Sequence, residues 1–321
     1  MKNNTLNILK LICSIFVILI HVTFTDNINV MVKALSRFAV PFFLILSGYF
    51  AYNSKNIKKN IIKILKITIL STLLFLVSDI IFYYIINKPS DIFTKETLKN
   101  FILYDYLKTS PHLWYLYSLI KTYIIYYFIK KINKLNILNI ISIILLILEI
   151  YYYYIRSING NIHVYEIRNT IFTSLPLFTL GSIINEYNIN NKLNNKLNNK
   201  LTISLIILFT ITTLIESNYY PYQDLYISTP LLSSLIFIYA LNNPNKKANK
   251  LSKISEEYSL YIYIFHYYII KIISYIIYPK VFRYYCKSHM ILIPVIIIST
   301  ILLSYVYKKI KEKMKVNLHF S

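Results

Sequence analysis

Ten apolar segments follow one another along the 321-residue chain, and each is about long enough to cross a bilayer. The hydrocarbon core of a bilayer is about 30 Å thick, so a spanning helix needs roughly 20 apolar residues. The sequence therefore predicts an all-α polytopic membrane protein, a bundle of about ten transmembrane helices. The predicted spans are 5–24, 34–53, 61–87, 112–130, 135–155, 169–187, 201–217, 226–242, 257–279 and 290–308.

The distribution of positive charge between these spans predicts their orientation. Lysines cluster in every second connection, at 55–59, 130–134, 192–200, 246–253 and 308–315. Cytoplasmic loops of membrane proteins are enriched in Lys and Arg, so these connections and both termini are predicted to be cytoplasmic. The same pattern accounts for the net charge of +22, so no nucleic-acid partner is expected. We expect one membrane domain over 1–321, without an appended soluble domain, in the cell (plasma) membrane.

Two ionisable residues, Lys10 and His21, lie within the first predicted span. They are eleven residues apart, about three helical turns, so they share one face and are separated by roughly 16 Å along the axis. Ionisable groups inside a membrane are costly and normally face the bundle interior or a hydrated cavity. Two interpretations stay open at this point. Both residues serve function, or Lys10 reaches the inner interface and His21 hydrogen-bonds a neighbouring helix.

Five sequence stretches together resemble one protein family. They are KLICSIFVILIHV (10–22), SRFAVPFFLILSGYF (36–50), HLWYLYSLI (112–120), RNTIFTSLPLFTLGSII (168–184) and YSLYIYIFHYYII (258–270). In this order they resemble the acyltransferase 3 family of multi-pass membrane acyltransferases, whose first helix carries a basic residue, ten intervening residues and a histidine. The family usually has arginine where this chain has Lys10, and lysine lacks the bidentate fork of arginine.

The resemblance implies transfer of an acyl group, commonly acetyl, from cytoplasmic acyl-CoA to a hydroxyl of an extracytoplasmic cell-surface glycan or related acceptor. His21 is then the candidate general base, because a neutral imidazole can take a proton from an attacking hydroxyl. A covalent acyl-histidine remains an alternative. Lys10 is expected to contact the phosphates or carbonyls of the donor. No metal is expected, and any extracytoplasmic partner is expected to be a separate protein.

A histidine base needs a partner that orients its second ring nitrogen. Glu149 is the first candidate, because an unpaired carboxylate within the apolar run ILLILEIYYYY would be expensive. Asp79 and Glu216 are weaker candidates. The alternative for Glu149 is a protonated or interfacial side chain without a catalytic role.

Arginine is rare in this lysine-rich chain, and the predicted topology places all four arginines outside. This placement opposes the usual inward bias of positive charge. It predicts a rim in which guanidinium groups, Arg37 and Arg168 above all, bind an anionic or polyhydroxylated acceptor. The four are Arg37, Arg156, Arg168 and Arg283.

Two further histidines lie in the stretches that carry the resemblance. His266 matches a recurrent histidine of the family and is predicted to bind substrate, by positioning the donor, although a packed hydrogen-bonding role stays open. His112, beside Trp114, is interpreted as an interfacial anchor.

A second function class stays open on sequence alone. A charged, hydrated cavity would equally serve a transporter or export component for a lipid-linked or polymeric glycan. An acyltransferase changes the mass of its acceptor, whereas a transporter does not.

Overall fold

The computed structural model describes residues 3–22, 24, 26–85, 94–160, 162–189, 198–245, 247, 249–273 and 292–319. This part of the chain is helical and contains no strand. Its helices are α1 (Asn4–His21), α2 (Asp26–Ser36), α3 (Ala39–Tyr52), α4 (Ile57–Ile85), α5 (Lys95–Tyr104), α6 (Trp114–Lys131), α7 (Leu135–Asn159), α8 (Val164–Ile167), α9 (Leu175–Ile189), α10 (Asn199–Tyr219), α11 (Ser228–Asn242), α12 (Lys250–Ile272) and α13 (Leu292–His319).

Helices cover most of the described residues of each of the ten predicted apolar segments, although the second segment includes parts of both α2 and α3. Among the described residues, six stretches are long and apolar enough to cross a membrane, and α11 is a shorter apolar helix. The six are Asn4–His21, Ile28–Tyr52, Ile57–Ile81, Leu135–Ile158, Asn199–Tyr219 and Leu292–Ile310. The all-helical membrane class is therefore confirmed, whereas the number of ten crossings and the cytoplasmic position of the termini stay predictions.

The second predicted span is interrupted at Arg37, between α2 and α3. The cause is Pro41, which lies in the first turn of α3 and has no N–H to donate to the carbonyl of Arg37. The regular bonding pattern resumes one residue later, where Phe42 donates to the carbonyl of Phe38. The interruption leaves Arg37 in a turn rather than inside a helix, and so places its side chain at the N-terminal end of α3.

The sixth predicted span begins with a π-helical turn, Thr170–Ser174, that continues into α9. Pro176 has no N–H to donate to the carbonyl of Phe172, as a regular α-helix would require. Asn169 caps the turn by accepting hydrogen bonds from the N–H groups of Ile171 and Phe172. Asp105 anchors the turn from outside, because its Oδ2 accepts hydrogen bonds from both the N–H and the hydroxyl of Thr170, each at 2.7 Å.

Helices α3 and α9 approach each other closely at two glycines. A Cβ atom at Gly48 would lie 1.7 Å from the carbonyl oxygen of Phe178, and one at Gly181 would lie 1.9 Å from that of Ile45. Only glycine fits at either position, since backbone atoms cannot move aside as a flexible side chain can. This crossing holds the turn at Arg37 close to the π-helical turn.

Helix α1 packs against α12, α2 and α3, and the side chains between these helices form much of the bundle core. Ile18 and Cys13 on α1 are fully buried, as are Phe42 on α3 and Ile262 on α12. The α1–α12 packing brings the C-terminal end of α1, with His21, against the C-terminal part of α12, at His266 and Tyr267.

We predict that Gly48→Ala destabilises the protein by about 3 kcal/mol, because the methyl group must separate two packed backbones. Thermal unfolding in detergent measures the effect. Gly160→Ala is the matched control: a Cβ there meets no described atom within 4 Å, and only the positive φ of +67° opposes it, at a cost of about 1 kcal/mol. Equal midpoints for Gly48→Ala and the unsubstituted protein would contradict the close crossing.

Candidate active site

A partly enclosed cavity lies where α1, α3, α6, α7 and α12 meet the π-helical turn and the loop 220–227. Its volume of about 50 Å³ accommodates a few water molecules or one small functional group. Four of the six predicted site residues, His21, Arg37, Glu149 and Arg168, contribute to its walls. The other lining side chains are Val17, Ile20, Val40, Pro41, His112, Trp114, Tyr115, Tyr153, Thr173, Asp224, Leu225 and Tyr263.

The charged wall of the cavity consists of two arginines that share one carboxylate. Arg37 Nη1 lies 2.6 Å from Asp224 Oδ1, and Arg168 Nη1 lies 2.7 Å from Oδ2, so each guanidinium occupies a different oxygen. The Arg168 guanidinium also lies over the ring of Trp114, 4.9 Å from its centroid, a cation–π contact. Three segments far apart in sequence are thereby joined at one point.

The net charge of Arg37, Arg168 and Asp224 together favours the binding of anions. Burial disfavours a charged Asp224, but Arg37 and Arg168 outweigh that effect and hold the pKa of Asp224 below its ordinary value. The carboxylate therefore stays ionised at neutral pH, and two guanidinium charges against one carboxylate leave an excess positive charge. Both Nε atoms are buried and have no hydrogen-bond partner among the described residues. The arginine rim is thus partly neutralised from within the protein, which the sequence analysis did not anticipate.

Glu149 faces the cavity from α7 and is fully buried. Its Oε1 accepts a hydrogen bond from the hydroxyl of Thr173, a residue of the π-helical turn, and its Oε2 has no partner among the described residues. Tyr153, one helical turn further along α7, is buried beside it. The predicted hydrogen bond between Glu149 and His21 is not among those of the described residues, so Glu149 does not orient His21 in this structure.

Three histidines form a cluster at the cavity: His21 and His112 line it, and His266, which does not line it, packs against both of their rings. The ring of His266 lies 5.2 Å from that of His21 and 5.3 Å from that of His112, measured between centroids. His112 stacks on Tyr267 at 4.8 Å. His266 therefore lies in contact with His21, the predicted base.

His112 is buried, with only 2% of its surface exposed, so its interpretation as an interfacial anchor is wrong. A short 3₁₀ turn, Pro111–Leu113, precedes α6 and turns the imidazole inward, onto the ring of Phe75 at 4.6 Å. Its neighbour Trp114 contacts Arg168 instead of a membrane interface. The position of His112 near a helix end does not predict its burial, because burial depends on which helices are neighbours.

The remaining candidates lie outside the cavity. Lys10 donates a hydrogen bond from Nζ to Asn7 Oδ1 at 3.3 Å, on the part of α1 remote from His21. Asp79 pairs with Lys271 at 2.7 Å. Glu216 accepts hydrogen bonds from the N–H groups that begin α11, those of Ile227 and Ser228.

The other two arginines of the chain do not line the cavity within the described residues. Arg156 donates from Nε to the carbonyl oxygen of Ile162 at 3.0 Å, away from the cavity, and Arg283 lies outside the described residues. Within the described part of the chain, no group of His, Cys, Asp and Glu side chains is arranged to hold a metal ion.

Comparison with known proteins identifies the family. The model of the acyltransferase 3 family, described as an acyltransferase domain, matches residues 3–309. No curated protein and no solved structure matches the chain. Because the family model covers nearly the whole chain and the matched region contains the cavity, the chain belongs to the acyltransferase 3 family of membrane acyltransferases.

Proposed function

We propose that this protein is an acyl-CoA-dependent O-acyltransferase of the cell membrane, which moves an acyl group, commonly acetyl, to a hydroxyl of an extracytoplasmic cell-surface glycan. The observation that carries the proposal is the position of His21, an imidazole at the end of a membrane helix that lines the same cavity as the Arg37–Asp224–Arg168 ion pairs. Membership of an acyltransferase family supports acyl transfer over the alternative, a transporter or export component for a glycan.

The chemistry assigns His21 the role of general base. The ring nitrogen that faces the cavity takes the proton of the acceptor hydroxyl, while the hydroxyl oxygen attacks the thioester carbonyl carbon. The C–S bond of the intermediate then breaks, and the departing thiolate takes the proton from the imidazolium. The products are the acyl ester and CoA, so no further reactant is needed.

The cationic wall is suited to the charge that develops in this reaction. When the thioester carbonyl is attacked, its oxygen becomes negative, and fixed guanidinium groups in a buried site stabilise such an oxyanion without reorganisation. Arg37 and Arg168 are held in place by Asp224, so their positions do not depend on the substrate. We assign to the same two residues the contacts with an anionic or polyhydroxylated acceptor.

The donor is proposed to enter from the other end of α1. Lys10 is eleven residues, or roughly 16 Å, from His21 along the helix, and its ammonium group would contact the donor phosphates as a point charge. The cavity at His21 has room only for a small group. Of the coenzyme, only the acyl thioester would therefore enter it, next to the acceptor hydroxyl, with the remainder of the coenzyme outside.

We predict that His21→Ala abolishes the transfer while the protein still folds, because no other group is proposed to accept the hydroxyl proton. Mass spectrometry of surface glycans compares cells with the unsubstituted protein, without the protein, and with the variant. His163→Ala, at an exposed histidine outside the cavity, is the control and should leave the acyl mass in place.

The outcomes separate the two function classes. An acyl mass that persists with His21→Ala would refute the role of His21. Unmodified glycans in every strain, together with a change in the amount exported, would support the transporter instead.

We predict that Arg168→Gln lowers kcat/KM by about 100-fold, because one stabilising donor is lost from the cavity. Arg156→Gln is the matched control, since Arg156 is also an arginine of the predicted outer side but donates to the carbonyl oxygen of Ile162 and does not line the cavity. Steady-state rates with purified protein measure both. Equal losses in the two variants would show that the effect is not specific to the cavity.

A further inference from the structure

Two ring nitrogens of the histidine cluster, one in His266 and one in His112, carry lone pairs that accept no hydrogen bond from a described residue. Nδ1 of His266 lies 2.6 Å from the carbonyl oxygen of Tyr263, and Nε2 of His112 lies 3.2 Å from that of Ile264. A carbonyl oxygen can only accept, so each of these nitrogens carries the proton of its ring. In a neutral imidazole the other nitrogen is then an acceptor. Two hydrogen bonds to the backbone thus fix both tautomers.

The two acceptor nitrogens, His266 Nε2 and His112 Nδ1, are fully buried, and neither has a hydrogen-bond partner among the described residues. A buried acceptor without a donor costs about 1–3 kcal/mol, so such atoms in a folded protein call for a functional explanation. The third ring of the cluster, His21, is not constrained in this way and has an N–H to donate in either neutral tautomer.

We propose that His266 is a positioning residue, whose Nε2 accepts a hydrogen bond from His21 and thereby directs the other ring nitrogen of His21 into the cavity. The proposal rests on the proposed function and deepens it. In this arrangement a neutral imidazole, His266, takes the place of the carboxylate that usually orients a histidine base. It also changes the predicted role of His266 from binding the donor to orienting the base.

The geometry supports His266 for this role. The two rings lie 5.2 Å apart between centroids and are inclined by 37°, a separation short enough for a direct N–H···N bond between their edges. Hydrogen bonds of catalytic groups are often long in structures without substrate and shorten when it binds. The ring of His112 contacts His266 edge-on and stacks on Tyr267, so His266 is the imidazole whose ring packs against His21.

Neither carboxylate of the cavity, Asp224 or Glu149, hydrogen-bonds His21 among the described residues. Asp224 gives one oxygen to each of two arginines, and Glu149 is bonded to Thr173 of the π-helical turn. A neutral acceptor at His266 has a chemical consequence as well. It orients His21 without adding a charge to the buried cluster, and during the reaction it holds the second N–H of the imidazolium.

Two substitutions at His266 separate orientation of the base from packing. His266→Asn places an amide near Nδ1, so it can keep the bond to the Tyr263 carbonyl, but it ends short of His21. His266→Gln reaches the position of Nε2 with a carbonyl oxygen, so it can still accept from His21, but it loses the backbone bond. The experiment measures kcat and both KM values in purified, monodisperse protein, with acetyl-CoA and a polyhydroxylated oligosaccharide as substrates.

The proposal predicts that His266→Asn lowers kcat by about 100-fold with both KM values unchanged, because a base in the wrong orientation loses most of its catalytic contribution. His266→Gln should retain kcat to within about tenfold. His163→Asn, outside the cluster, is the matched control and should behave as the unsubstituted protein. If His266→Asn fails to fold, the rate of His266→Gln still decides.

Different results would contradict the His21–His266 pair, the positioning role of His266, or the proposed function as a whole. Full activity of His266→Asn, or a loss in His266→Gln as deep as that in His21→Ala, would overturn the pair while leaving the acyltransferase function intact. A raised KM for acetyl-CoA with unchanged kcat would restore donor binding as the role of His266. Absence of acyl transfer by the unsubstituted protein would overturn the proposed function and the pair together.

Discussion

Two arginines on one aspartate hold together the end of the bundle on which the candidate site depends. Arg37 follows α2, Arg168 precedes the π-helical turn, and Asp224 lies in the loop before α11, so the two ion pairs join three separate segments. Removing the shared carboxylate would leave two like charges close together in a buried place, at a cost of about 3–5 kcal/mol. The interaction therefore serves the fold and also determines the charge that the cavity presents.

Irregular turns between helices place the side chains of Arg37 and Thr173 at the cavity. Pro41 ends the regular hydrogen bonding between α2 and α3 and leaves Arg37 in a turn. Pro176 is accommodated by the π-helical turn, which directs Thr173 towards Glu149. The close crossing of α3 and α9 at Gly48 and Gly181 keeps the two irregular turns adjacent. The polar site thus lies where backbone irregularity is buried within the protein, which is the place where a membrane protein tolerates it.

The apolar segments predicted the helices well, because burial in lipid requires long, nearly continuous hydrophobic runs. Intramembrane ionisable residues likewise led to His21 and Glu149, both of which line the cavity, since such groups avoid lipid. The rarity of arginine pointed to Arg37 and Arg168. Each of these signals is local to one segment and can be recognised without knowing the neighbouring helices.

Contacts between segments could not be predicted in the same way. Nothing in the sequence distinguishes Asp224 from other acidic loop residues, and His112 was interpreted as interfacial, because neither hydropathy nor spacing states which helices are adjacent. The partner of Glu149 proved to be Thr173, which only the π-helical turn brings within reach. The tautomers of His112 and His266 follow from backbone carbonyls of α12, and such contacts have no signature in the order of residues.

The central claim is that His21 joins a donor on one side of the membrane to an acceptor on the other. The most direct measurement uses sealed vesicles that contain the purified protein, with a polyhydroxylated oligosaccharide trapped inside and isotopically labelled acetyl-CoA only outside. The account predicts that the label appears on the trapped oligosaccharide, and that His21→Ala prevents it. Label that appears only when both substrates share one compartment, or that is unaffected by His21→Ala, would contradict the account.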